Sequence, residues 1–84
     1  MTIKQFRAAS HNVQVAIVQF EGAFLLKRRG GGMDLLLYQV GDFYVEVVCI
    51  GSGNRIRIIG CYSFEEIDHY LAFIDISVIK KLTG

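Results

Sequence analysis

The chain has 84 residues, of which 52% are hydrophobic and only 20% charged, with a net charge of +1. A single domain of this length buries only about 60% of the surface its unfolded form exposes, so an apolar excess of this size points to a second surface that a partner covers. The near-zero net charge argues against a dedicated polyanion binder, which relies on a strongly basic domain, and nucleic acid is not the expected partner.

From Thr2 to Phe20 the apolar residues Ile3, Phe6, Val13, Ala16, Ile17 and Phe20 recur near helical spacing behind a potential Thr2 N-cap. This predicts an amphipathic helix. A competing pattern is present: Asn12 could stop a short helix, after which Val13, Val15 and Ile17 alternate with Gln14 and Ala16 as in a strand. No apolar run follows Lys4 and Arg7 directly, so no secretory leader is expected. Val13 to Leu26 is interrupted by Gln14, Gln19, Glu21 and Gly22, well short of the roughly 18 apolar residues that a membrane span needs. A soluble, cytoplasmic protein is the expectation.

Gly22 ends this element, and Ala23 to Arg28 reads as a strand with Phe24 and Leu26 on one side, Leu25 and Lys27 on the other. Gly30, Gly31 and Gly32 can supply the positive φ values of a hairpin loop. Strands follow at Met33 to Val40, Asp42 to Ile50 and Arg55 to Tyr62, joined at Gly41 and at Gly51-Ser52-Gly53-Asn54. With Ile50 paired near Arg55, the two-residue period places Leu36, Tyr38, Phe43, Val45, Val47, Cys49, Ile56 and Ile58 on a first face. The second face then holds Leu35, Leu37, Tyr44, Val48, Ile50 and Ile59, with Glu46, Arg55 and Arg57 among them. Both faces are apolar, and each needs a cover.

Ser63 stands three residues before Glu66, a capping box that starts a helix. Phe64, Ile67, Tyr70, Leu71 and Ile74 run down one side of it. A second short turn is expected at Val78 to Leu82, with Lys80 and Lys81 near its negative end. The expected architecture is a single α+β domain over 1–84: an N-terminal helix, a four-stranded antiparallel meander, and a C-terminal helix on one sheet face. The other face is left to the N-terminal segment or to a second copy of the chain.

Few residues carry a chemical signal. Lys27, Arg28 and Arg29 beside Gly30, Gly31 and Gly32 could bind phosphate through cations and exposed amides. They lack the Gly-Lys-Ser/Thr and following helix of a P-loop, and charges at a hairpin tip also serve to keep an edge soluble. His11 and His69 lack ligands at metal spacing, so no metal and no cofactor is expected. Cys61 and His69 have no evident third group to make a nucleophilic pair. Cys49 and Cys61 are expected as free thiols in a reducing compartment. Six Phe and four Tyr could stack bases, but they fit a core and an interface equally well.

The run Leu37-Tyr38-Gln39-Val40-Gly41-Asp42-Phe43-Tyr44-Val45-Glu46-Val47, the Arg-Ile-Arg-Ile strand after it and the segment Tyr70 to Ser77 resemble a set of small bacterial α+β proteins of unknown function. The resemblance implies a helix ahead of the strands. It implies no catalytic or binding residues. The expectation is therefore a non-enzymatic protein-interaction module, a homodimer through the Leu35, Leu37, Tyr44, Val48 and Ile59 face, with Glu46 and Arg57 fixing its register. The alternative is a phosphate-ligand or nucleic-acid binder using Arg28, Arg29, Gly30 and Gly31.

Overall fold

Two N-caps, not one, open the chain, and each starts its own helix. In the computed structural model, which describes residues 1–51 and 55–72, the first helix, α1, spans Ile3–Ala8 and the second, α2, spans His11–Glu21. Thr2 Oγ1 accepts from the Gln5 amide at 3.1 Å while Gln5 Oε1 accepts from the Thr2 amide at 2.9 Å, a reciprocal capping box. Ser10 Oγ caps α2 through the Val13 amide. The expected single helix is thus broken at Ala9 and Ser10, and residues 13–20 are helical, so the strand alternative for this segment is excluded. Gln14 Nε2 donates to the Phe6 carbonyl at 2.8 Å, tying the two helices together.

Four strands follow: β1 Ala23–Gly30, β2 Met33–Val40, β3 Phe43–Ile50 and β4 Arg55–Tyr62. They form one antiparallel sheet in the order β1-β2-β3-β4. Gly30 ends β1 by pairing with Met33, so the loop contracts to Gly31 and Gly32, with φ of 61° and 78°. Positive φ at both central residues is what a type I′ hairpin turn requires, and it matches the twist of the strands. Ile50 pairs with Arg55, in the expected register.

Bulges in both outer pairings depart from simple alternation. In β1 the register shifts between Phe24 and Leu26, so Phe24 pairs with Tyr38 and Leu26 with Leu37. Phe24 and Leu26 therefore lie on opposite faces, contrary to the unbroken period. In β4 the extra residue is Ile59: Ile58 faces Val47 and Gly60 faces Glu46. This returns Cys61 to the face of Val45, and Tyr62 to that of Tyr44.

Each face has its own cover. The N-terminal helices close the first face, where Phe6, Ile17 and Val18 pack with Val40, Phe43, Val45 and Val47. Phe6 is fully buried and its ring lies 5.4 Å from that of Phe43. The second face receives α3, Ile67–Ala72, whose Ile67 packs on Leu26 and Leu37 beside Tyr44, Tyr62 and Leu71. The capping box predicted for α3 is present: Glu66 N donates to Ser63 Oγ at 3.2 Å and Ser63 N to Glu66 Oε1 at 3.1 Å. Phe64 does not join the α3 core stripe and is 71% exposed. Ile74 and the turn expected at Val78 to Leu82 lie outside the described residues.

Candidate functional site

Alternation along β2 and β3 and the bulge in β4 gather Leu37, Glu46 and Gly60 into one row of the second face, between the rows Leu35, Val48, Arg57 and Gln39, Tyr44, Tyr62. Six of the seven expected interface residues, Leu35, Leu37, Tyr44, Glu46, Val48 and Arg57, thus share this face. Ile59, the bulged residue, is 46% exposed. Leu35, Leu37, Glu46 and Val48 are all buried within the single chain. They have little surface left to offer a second copy, and the face that sequence alternation left open for a partner is the one on which α3 packs.

At its centre is a charge. Glu46 is 3% exposed, the one buried charged residue among those described. Its partner is not Arg55 or Arg57 but Arg28, which reaches over β2 from β1 to place Nη2 3.1 Å and Nε 3.2 Å from Glu46 Oε2. The guanidinium holds two donors on one carboxylate oxygen, a charge-assisted contact that offsets part of the cost of burial. Arg28 reaches it because the Leu25 bulge sets Leu26 and Arg28 on the second face.

Tyr62 adjoins this pair. Its phenol is pushed above the ordinary tyrosine range, first by burial and then by the negative charge of Glu46, while Arg28 opposes the shift. Gly60 makes the room, since a Cβ there would come within 2.9 Å of Tyr62 Oη. A guanidinium, a carboxylate and a phenol thus come from three adjacent rows of the second face. Arg28 orients the buried Glu46 carboxylate.

The glycine hairpin is less cationic than its sequence suggests. Arg28 turns inward to Glu46, Arg29 Nη1 lies 3.5 Å from Asp34 Oδ1, and Lys27 Nζ lies 3.6 Å from Asp34 Oδ2. Arg29 also donates to the Gly32 carbonyl. Asp34, which sequence reasoning passed over, faces Arg29 in the β1–β2 register and offsets part of the charge of the loop. Gly30 belongs to the strand and Gly31 to the turn, so the extended nest of glycine amides is not formed.

Cys61 has Arg7 beside it. Arg7 Nε donates to Cys61 Sγ at 3.2 Å, and its Nη2 donates to the Cys61 carbonyl at 3.2 Å and to Glu66 Oε1 at 3.3 Å. One arginine thereby ties α1 to the end of β4 and to the α3 cap. The Glu66 carboxyl is held below the usual glutamate range, mainly by the Ser63 backbone and hydroxyl and secondarily by Arg7. Both cysteines are free and half-buried. Cys49 and the Cys61-paired Val45 are four residues apart on β3, about 13 Å at strand rise, too far for a disulfide. No group of three or more metal-ligating side chains occurs among the described residues.

Besides Ile50, Ile59 and Phe64, exposed apolar residues lie on the N-terminal side of the molecule. On α2, Val13 is 48% and Phe20 84% exposed, and on β1 Phe24 is 54% exposed with its ring 5.8 Å from that of Tyr38. Because α2 packs chiefly over β2 and β4, the β1 side of the first face is bare. Val13, Ala16 and Phe20 recur at helical spacing along the flank of α2 facing that side, a stripe that sequence periodicity had assigned to the core. No ionisable residue lies between Asn12 and Phe20. No described helix is long and apolar enough to cross a membrane. Comparison with protein-family models, with curated proteins and with solved structures finds no match.

Proposed function

We infer that the protein is a non-enzymatic interaction module that self-associates as a homodimer, through the apolar flank of α2 and the adjoining Phe24 rather than through the α3-covered sheet face. The observation that carries this reading is Phe20, a large apolar side chain left 84% exposed on a helix with no charge between residues 12 and 20. Such an exposed stripe marks a contact surface.

Charge favours a second copy as the occupant. The β1 edge carries Lys27 and Arg29 and the β4 edge carries Arg55 and Arg57, all exposed, so two identical chains meeting at like edges would bring cations together. The α2 flank carries none. A two-fold contact pairs each residue with the mirror position in sequence. Two antiparallel α2 helices crossing near Ala16 bring Val13 against Phe20 of the second copy, with the small alanines at the axis.

Sedimentation equilibrium tests the reading up to about 0.1 mM protein, where a Kd of about 1 μM would leave the dimer dominant. The wild-type chain is expected to be a dimer, and Phe20→Glu a monomer with an unchanged circular dichroism spectrum. A monomeric wild type, or a Phe20→Glu variant that remains dimeric, would overturn it.

A further inference from the structure

We propose that the groove between α2 and β4 is an anion site that takes the phosphate group of a small phosphate monoester. Asn12, Val15 and Gln19 recur at three- and four-residue spacing, so they form one stripe of α2. With His11 ahead of them and Arg55 and Ile56 of β4 opposite, they line a cleft of about 360 Å3. Its size is at the lower end of small-ligand sites.

The formal charge of this lining is one-sided, and its amides can turn donors toward an anion. Arg55 brings a guanidinium with only donors, Asn12 and Gln19 bring amide NH2 groups, and His11 brings a ring N–H. No carboxylate lines it, whereas a cleft beside α1 includes Asp42 and Glu65 and one at the β1–β2 hairpin includes Asp34. Arg55 makes no ion pair among the described residues. This contrasts with the glycine hairpin, where Asp34 and Glu46 occupy the three cations. His11 and Asn12 also form the first turn of the eleven-residue α2, whose partial positive charge adds to that of Arg55.

A phosphate monoester matches this set because its oxygens accept from several directions at once and its charge answers the guanidinium. Val15 and Ile56 provide the apolar contact for the organic part.

The test is a titration of the full chain at low ionic strength with inorganic phosphate and with phenyl phosphate, followed by 1H–15N NMR. Saturable shifts of the Asn12 and Gln19 side-chain amides and of Arg55 Nε–H are expected, with phenyl phosphate the tighter probe. Arg55→Gln should weaken binding about tenfold, the usual scale for loss of a charged hydrogen-bond donor. Arg29→Gln should leave it unchanged. Both arginines are exposed, so neither variant disturbs the core. Absence of saturation with both probes up to about 20 mM, beyond the millimolar range of weak ligands, would overturn the proposal. So would shifts centred on residues 27–32, or equal loss in the two variants.

Discussion

Phe6 and Phe20 sit on successive helices of the same N-terminal segment, yet the structure assigns them opposite energetic roles. Phe6 is 0% exposed and its ring packs at a tilt against that of Phe43; Phe20 is 84% exposed. Truncation of a fully buried phenylalanine to alanine costs about 3–5 kcal/mol. At about 0.05–0.15 kcal/mol per residue, 84 residues correspond to a total stability of about 4–13 kcal/mol, so Phe6→Ala removes about a quarter or more. Phe20→Ala removes almost no buried area and should stay within about 0.5 kcal/mol of wild type. With a urea dependence of about 1 kcal/mol per M for a chain this small, Phe6→Ala should lower the midpoint by about 3 M or abolish the transition. Urea unfolding followed by far-ultraviolet circular dichroism measures both variants, at low protein concentration so that dissociation of a dimer does not contribute. Equal losses, or a Phe6→Ala loss below about 1 kcal/mol, far under the usual range for a buried ring, would show that α1 does not close the first sheet face.

Two further outcomes follow from the polar contacts. Arg28→Met deprives the buried Glu46 carboxylate of its cation and should cost about 2–3 kcal/mol, less than for a wholly buried pair because the Arg28 side chain is 31% exposed. The double variant Arg28→Met/Glu46→Leu should recover to within about 1 kcal/mol of wild type, and losses that simply add in a double-mutant cycle would show that the two do not act as a pair. The Glu66 carboxyl is more acidic in the folded chain than unfolded, so its contribution is present above the ordinary glutamate range and is lost as pH falls through its lowered folded value. An NMR titration should find Glu66 below the ordinary glutamate range, and Ser63→Ala, which removes the hydroxyl but keeps the residue-63 backbone donor, should raise it part of the way toward normal; a titration unmoved by Ser63→Ala would rule out the hydroxyl as a contributor.

The sequence carried the meander because its signals are local: period-two alternation in β2 to β4, glycines at the reversals, and Ser63 three residues before Glu66. What it hid depended on events between distant segments. Ser10 has a short side chain that fits a helix interior or an N-cap, and only the turn at Ala9 decides between them. The bulges at Leu25 and Ile59 leave no composition mark, yet each reverses the face of every residue beyond it, which is why Arg28 as the partner of Glu46 and Tyr62 as its neighbour were not foreseen. Periodicity identified α2 as amphipathic but not which of its two apolar stripes turns inward, since Val13, Ala16 and Phe20 satisfy helical spacing as well as the Ile17 and Val18 side does. Asp34 was passed over because its importance comes from standing across the β1–β2 ladder from Arg29.

The Arg7 bridge between α1 and the end of β4 has a consequence for the order in which the molecule forms. Each strand pairs only with its neighbours in sequence, so hairpins can zip successively at little loop-closure cost. The N-terminal helices have no such freedom: Arg7 waits for Cys61 and Glu66, 54 and 59 residues away, and α2 rests partly on β4. On a ribosome these helices emerge first and find their full seat last. Until β2 and β3 are made, Phe6, Ile17 and Val18 lack the side chains that bury them, and only with β4 is the seat of the N-terminal helices complete, so their docking is the long-range step that finishes the fold.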